Sequence, residues 1–112
     1  MDQRVRAVIA FMNANLHRKL TPIEIAQTLR LSPAHLRELF KDETGTSLAQ
    51  YLKELRLQRA KHLLETTFLS VKEVAGSVGI DGVSHFVRDF EKKYGATPAR
   101  HAERHRKAAQ IP

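Results

Sequence analysis

A short pattern of residues occurs twice in this chain. Residues 40–47 read FKDETGTS and residues 90–97 read FEKKYGAT, so a Phe, a charged stretch and a Gly recur at an offset of 50. A glycine that closes a helical pattern is typical of the left-handed position just after a helix. The repeat predicts two copies of one structural unit that end in the same way.

The residues before the first of these glycines predict two short helices. Thr21 and Glu24 have the spacing of a capping box, and Pro22 suits the first position of a helix. Ser32 and Pro33 repeat this kind of start further along. Two short helices with about three residues between them describe a helix-turn-helix. Its apolar positions are Ile25, Ala26, Leu29, Leu36, Leu39 and Phe40.

The same order of signals returns downstream. Ser70 and Glu73 form a second predicted capping box, at an offset of 49 from the first. After the turn GIDG at residues 79–82 the offset becomes 50, as in Phe40 and Phe90. The second helix-turn-helix is therefore predicted to have one extra residue in its turn.

Apolar periodicity predicts the remaining helices. Val5, Val8 and Met12 lie at helical spacings, which predicts a helix over residues 3–16. A helix of about 18 residues and about 27 Å is predicted between the copies. A short last helix is predicted from Thr97-Pro98 to His105, before a frayed end, KAAQIP. The expected fold is all-α with about seven helices: a first helix-turn-helix subdomain at residues 1–46, a linker helix at 47–66, and a second helix-turn-helix subdomain with a basic tail at 67–112.

The composition favours a polyanionic partner. Lys and Arg number 19 against 12 Asp and Glu, a formal net charge of +7. Such an excess favours nucleic acid over an anionic membrane surface. No apolar run approaches the roughly 20 residues of a membrane span, and the amphipathic start MDQRVRAVIAFMNAN does not resemble a secretory signal. A cytoplasmic location is expected, and the absence of Cys excludes disulfides and thiolate metal sites.

Four ordered motifs run through the chain: SPAHLRELFK at 32–41, GTSLAQYL at 45–52, RLQRAK at 56–61 and SHFVRDFEKKYGATP at 84–98. Together they resemble the DNA-binding domain of the AraC/XylS family of bacterial transcription regulators, from about residue 5 to residue 104. The chain departs from the family at Ile80, where a Phe is usual, and in the tail ARHAERHR, where a Tyr-Arg pair is common.

The resemblance implies a mode of action and further partners. It implies double-stranded DNA as the ligand, with two recognition helices in successive major grooves on one face of bent DNA. Family members usually join this domain to an effector-binding or dimerisation domain, so the chain is expected to be a fragment of a larger regulator, with a small stand-alone regulator as the alternative. RNA polymerase is a further candidate partner. The resemblance also implies that Arg56 is more often structural than functional.

Helical periodicity separates core from groove-facing positions in both predicted recognition helices. With the apolar side chains inward, the first helix presents Ala34, Arg37, Glu38 and Lys41, and the second presents Val83, Ser84, His85, Val87 and Arg88. Arginine binds guanine edges bidentately, glutamate accepts from cytosine, and a valine suits a thymine methyl. For Glu38, a base contact, an orienting contact to Arg37 and a salt bridge stay open. The two arginines have a simpler alternative, as solvated surface residues.

Helix starts and basic side chains predict contacts to phosphates. Unpaired amides and the helix dipole attract anions at helix N-termini. The segment KELRLQRAKH is interpreted mainly as a solvated face. The candidate phosphate contacts are Thr21, Lys41, Ser47, Ser70, Lys92 and Thr97.

Other functions have weaker signals. His101 and His105 have zinc-ligand spacing, but HAERH lacks the order of HExxH and an obvious third ligand, so no metal and no cofactor are predicted. No phosphate loop or catalytic constellation is present, so no enzyme activity is expected. Aromatic residues make up 6% of the chain, which disfavours RNA binding. A helical adaptor that binds another protein of the transcription machinery is the alternative function.

Overall fold

The computed structural model describes residues 1–110, except for the side chain of Gln110, and this part of the chain contains seven α-helices and no strand. The all-α prediction is confirmed. In chain order the helices are α1 (Gln3–Ala14), α2 (Pro22–Thr28), α3 (Pro33–Thr44), α4 (Leu48–Thr66), α5 (Val71–Ser77), α6 (Val83–Tyr94) and α7 (Pro98–Gln110).

Both ends of the chain differ from the sequence prediction in detail. Helix α1 ends at Ala14, two residues earlier than expected, and Asp2 caps its start by accepting from the Arg4 N–H at 2.7 Å. Helix α7 continues to Gln110, so the fraying predicted from Lys107 onward is wrong up to that residue. The last two residues of the predicted frayed end lie outside the described residues.

The two predicted capping boxes form to different extents. At α5 the box is complete, because the Ser70 hydroxyl accepts from the Glu73 N–H at 3.1 Å and the Glu73 carboxylate accepts from the Ser70 N–H at 3.0 Å. At α2 the Thr21 hydroxyl accepts from the Glu24 N–H at 3.2 Å, but the Glu24 carboxylate pairs with Arg18 at 2.7 Å. This ion pair replaces the second half of the box. The hydrogen bond from Arg18 lowers the pKa of Glu24, and the same bond raises the pKa of Arg18, so both groups keep their charges.

The glycines that close the two repeated segments have the predicted role. Gly45 follows α3 with φ 79° and Gly95 follows α6 with φ 78°, both left-handed. Each N–H bonds four residues back at 2.8 Å, to Lys41 in the first case and Glu91 in the second. The turn inside the second helix-turn-helix, residues 78–82, is one residue longer than that of the first, residues 29–32, as predicted.

The chain divides into two compact units, Met1–Leu55 and a second that begins at Arg56, so the division falls within α4. In the first unit one apolar core joins α1, α2, α3 and the start of α4. The ring of Phe40, fully buried, meets the Tyr51 ring edge-on at 5.1 Å. The buried members of this core are Val5, Val8, Met12, Ile25, Ala26, Leu36, Phe40 and Leu48.

The second unit has a core of the same design. The C-terminal half of α4 takes the place that α1 has in the first unit, and α5, α6 and α7 complete the cluster. Ile80, where the family usually has a Phe, packs half-buried against this core. Helix α7 docks through buried Ala102 and through a hydrogen bond from Arg106 to the Leu69 carbonyl at 3.2 Å. The buried members are Leu57, Ala60, Leu64, Val74, Ala75, Val78, Phe86, Phe90 and Ala102.

None of the helices in the described residues is both long enough and apolar enough to cross a bilayer.

Candidate nucleic-acid interface

Helix α3 is held by its core side and leaves one face to solvent. The Ser32 hydroxyl caps the helix by accepting from the His35 N–H at 3.1 Å, and Pro33 follows at the first position. Leu36 and Phe40 are fully buried. Residues three and four apart share a helix face, and this spacing places the four exposed side chains predicted to face the groove on the opposite side: Ala34, Arg37, Glu38 and Lys41.

The charged side chains of Arg37 and Glu38 on this face do not contact each other. Within the described part of the chain, Arg37 and Glu38 have no hydrogen bond and no ion pair, and both are exposed. Among the described residues Glu38 thus contacts neither Arg37 nor another cation, and its role in DNA binding stays a prediction. An uncommitted guanidinium keeps all of its donors for a ligand, and arginine is the side chain best suited to the guanine edge.

Helix α6 presents its corresponding face with a different start. Gly82 stands before the helix with φ 84° and provides no side-chain cap. Phe86 and Phe90 meet edge-on at 5.7 Å, and both are fully buried in the core. Their burial fixes the rotation of the helix on that core. Of the predicted groove-facing residues, Val83, Ser84, His85 and Arg88 are exposed, whereas Val87 is half-buried. Val87 thus also belongs to the edge of the packing surface.

His85 contacts Arg88 one turn further along the same helix. The Arg88 guanidinium lies 3.2 Å from His85 Nδ1, and His85 Nε2 lies 3.6 Å from the Asp89 carboxylate. An arginine only donates, so Nδ1 must accept and the ring proton must be on Nε2, facing the carboxylate. The imidazole is therefore placed to orient the guanidinium of Arg88, a role that sequence periodicity did not indicate.

Comparison of the two helices at the offset of 50 shows that the arginines are not equivalent. Arg37 corresponds to Val87, and Arg88 corresponds to Glu38. The cationic group is shifted by one residue, about 100° around the helix. The comparison also draws attention to His35, an exposed first-turn residue equivalent to His85 that the sequence analysis missed. The repeat itself contained the signal.

The candidate phosphate contacts divide into hydroxyls and ammonium groups. Each hydroxyl oxygen accepts from a helix amide at 3.1–3.3 Å. The hydroxyl proton can still rotate and donate to a phosphate oxygen. The hydroxyls of Thr21, Ser47 and Ser70 belong to exposed residues and that of Thr97 to a half-buried one, and Lys41 and Lys92 are exposed near the ends of α3 and α6.

Arg56 has the environment of a structural residue. It is half-buried, and burial lowers the pKa of its guanidinium, opposed by the attraction of Asp81. Both residues belong to the second unit. A half-buried guanidinium near a turn carboxylate agrees with the structural role that the resemblance implies.

Comparisons with known proteins agree with this architecture. A family model described as a helix-turn-helix domain matches residues 25–104. Over 104 residues the chain is 40% identical to the HTH-type transcriptional regulator GadX of Escherichia coli O6:H1, covering 93% of this chain and 36% of that regulator. The chain thus spans little more than a third of such curated relatives.

Two solved structures are similar over almost their full length. The DNA-binding transcriptional dual regulator from Escherichia coli K-12 has a TM-score of 0.85 at 34% identity, with 96% of each chain covered. The DNA-binding domain of AdpA, a global transcriptional factor solved in complex with a target DNA, has a TM-score of 0.89 at 27% identity, covering 98% of this chain and all of that one. Both therefore share this fold over nearly every described residue.

Proposed function

The chain belongs to the AraC/XylS family of bacterial transcription regulators, and on that premise we propose that it binds a specific sequence of double-stranded DNA as the DNA-reading domain of such a regulator. The observation that carries this proposal is the repeated recognition helix. In both units a helix fixed by two buried residues exposes a face rich in hydrogen-bond donors. The AdpA domain, which shares the fold, was solved with its target DNA bound.

Helices α3 and α6 are the proposed recognition helices, each in a major groove and the two grooves successive. An α-helix fits that groove, and its base edges carry a distinct pattern for each base pair. In α3, Arg37 reads a guanine and Glu38 an adjacent cytosine. In α6, Arg88 reads a guanine in the orientation that His85 gives it. Ala34, Val83, Ser84 and Val87 complete the base-facing set through small or apolar contacts.

Phosphate contacts position these helices without reading sequence. Lys41 and Lys92, near the C-terminal ends of the recognition helices, supply cationic contacts, and the capping hydroxyls of Thr21, Ser47, Ser70 and Thr97 donate to phosphate oxygens. The net charge of +7 supports this part of the proposal. At α5 the Glu73 carboxylate stands beside Ser70, so we expect that contact to be the weakest of the four.

Further domains and partners of the regulator are proposals as well. An effector-binding or dimerisation domain joined to this chain agrees with the greater length of its relatives. A contact with RNA polymerase is proposed from the family resemblance alone. A cytoplasmic location follows from the proposed DNA ligand. GadX, to which the chain is 40% identical, is a transcriptional regulator, which supports a role without catalysis.

The adaptor alternative has less support from the exposed surface. It requires a contiguous apolar patch on the protein. Large exposed apolar side chains in residues 1–110 are few, namely Met1, Ile23, Phe68 and Val83. Phe68 is also approached by the Arg106 guanidinium at 5.5 Å from its ring centre.

The dependence of affinity on salt tests the proposed function. Neutralising about six phosphates predicts a slope near −5 for log K against log salt. Fluorescence anisotropy with a labelled duplex, between about 50 and 200 mM salt, measures this slope. Single-stranded RNA of the same length is the control and should bind much more weakly. A slope near zero, or equal affinity for RNA, would rule out the proposed function.

A further inference from the structure

Three side chains of the second unit converge on one point between α4 and α7. His101 Nε2 lies 2.7 Å from Glu65 Oε2, and His105 Nε2 lies 3.6 Å from the same oxygen. The three possible ligand atoms all lie within 4.8 Å of one another. We propose that Glu65, His101 and His105 form a binding site for a divalent transition metal ion, with Zn²⁺ the best match. The third ligand missing from the sequence motif comes from a different helix.

The two imidazoles are held in place by their surroundings. They are four residues apart on α7 and therefore lie on one face of the helix, with ring centres 4.5 Å apart. The His101 side chain is only 13% exposed and meets the buried Phe90 ring edge-on at 5.6 Å. Ligands restrained in this way lose little freedom when they bind an ion.

The hydrogen bond on the far side of His105 selects the nitrogen that faces the cluster. His105 Nδ1 lies 3.0 Å from the carbonyl oxygen of His101. A carbonyl only accepts, so Nδ1 carries the proton and donates, and in the neutral ring Nε2 keeps its lone pair. This nitrogen lies 3.6 Å from the Glu65 carboxylate. An N–H bonded to a backbone carbonyl is the usual outer contact of a metal-ligating histidine.

A lone pair and a carboxylate oxygen 3.6 Å apart repel unless a cation lies between or beside them. The Lys61 ammonium lies 2.9 Å from the same Glu65 oxygen and is the cation in this structure. Two ligands of a tetrahedral zinc ion lie about 3.4 Å apart, given bonds of about 2.0–2.1 Å. The observed separations of 2.7 and 3.6 Å bracket this value. To hold an ion, the cluster needs a small change in these distances, and the Nε2 proton that His101 donates to Glu65 at 2.7 Å must leave or move to Nδ1. The ion would also compete with Lys61 for the carboxylate.

The ligand chemistry selects the class of ion. Two neutral imidazoles and one carboxylate suit zinc and its neighbours in the transition series and do not suit Mg²⁺ or Ca²⁺, which prefer oxygen ligands. Three protein ligands leave a fourth position to water. Because Glu65 is on α4 and both histidines are on α7, the bound ion would tie the last helix to the core of the second unit.

Isothermal titration of the metal-free chain with Zn²⁺ tests the site. One ion should bind per chain, and the melting temperature should rise by about 5 °C or more at Zn²⁺ of 100 times Kd. His105→Ala, at a residue that is 41% exposed in its side chain, should weaken binding at least tenfold without unfolding the chain. Lys61→Gln should strengthen it, since the competing ammonium is gone.

The control variant is His17→Ala, which removes an exposed histidine of the first unit. It should leave the affinity and the stoichiometry unchanged. Equal loss in His17→Ala and His105→Ala would show scattered surface binding and overturn the proposal. So would weaker binding in Lys61→Gln, or the absence of saturable binding in the parent chain. Glu65→Gln, which preserves size, should also lose at least tenfold, and unchanged affinity in that variant contradicts the site as well.

Discussion

Arg30 and Gly79 hold the same position in the two copies of the helix-turn-helix, as the left-handed residue after the first helix, with φ of 57° and 74°. The same pair of backbone bonds, a Schellman motif, closes both helices. In the first copy Leu31 N–H donates to Ala26 O at 2.9 Å and Arg30 N–H donates to Gln27 O at 3.2 Å. In the second copy Ile80 N–H donates to Ala75 O at 2.9 Å and Gly79 N–H donates to Gly76 O at 3.2 Å. The two copies thus share one helix ending, with a strained residue in the first.

This difference predicts unequal sensitivities of the two positions to substitution by alanine. Gly79→Ala introduces a side chain into a left-handed conformation and should destabilise the chain by about 1–2 kcal/mol. Arg30→Ala exchanges one strained residue for another and should change the free energy of unfolding by less than about 0.5 kcal/mol. Urea unfolding measures both. Equal losses would mean that the left-handed positions are not equivalent.

The two exposed arginines should contribute separately to base recognition. Arg37→Ala and Arg88→Ala should each weaken binding to a preferred duplex by about 1–3 kcal/mol and relax the preference at one base pair. Nonspecific affinity should change little. Competition titrations with single-base variants of the site give both quantities, and Arg6→Ala, an exposed arginine on α1, is the control. A uniform loss on every sequence would make them phosphate contacts.

His85 should act through Arg88. Because the imidazole accepts from the guanidinium at 3.2 Å, His85→Ala should weaken specific binding only where Arg88 is present. In a double-mutant cycle, the two single losses should exceed the loss in the double variant by about 0.5–3 kcal/mol. If the losses simply add, His85 contacts the DNA on its own and does not orient its neighbour.

The sequence predicted the local elements well because their signals are local. Caps such as Ser32 and closing glycines such as Gly45 act within one or two turns, so the seven helices and the duplicated unit follow from spacing alone. Periodicity also placed Arg37 and Arg88 on exposed faces, as the structure has them. The roles of these residues in base recognition stay predictions.

Side-chain contacts between different elements could not be predicted from such local signals. The pairing of Glu24 with Arg18 diverts half of a capping box, and no short motif indicates which partner a carboxylate will choose. Glu65 meets His101 across 36 positions of sequence, so the third member of that cluster was invisible in HAERH. Half-burial of Val87 likewise depends on packing and not on helical spacing.

The continuity of α4 offers a test of the two-groove mode. Two alanines inserted between Leu55 and Arg56 keep each core stripe of the helix within its own unit. They add about 3 Å and turn everything beyond by about 200°. Both units should stay folded. Thermal melting with cooperative transitions, either one shared by both units or one for each, would show this. Nuclease footprinting should show protection of one half-site only. A full footprint at unchanged affinity would contradict simultaneous reading by α3 and α6.

Selection of binding sites from a random pool of duplex DNA tests sequence-specific recognition most directly. The chain should enrich one sequence with two blocks of preferred base pairs about ten base pairs apart, one for each recognition helix. It should bind that duplex at least about 10³-fold more tightly than a shuffled duplex of the same composition, at physiological salt. A pool that stays random after several rounds, with equal affinity for the selected and shuffled duplexes, would contradict sequence-specific DNA binding by this chain.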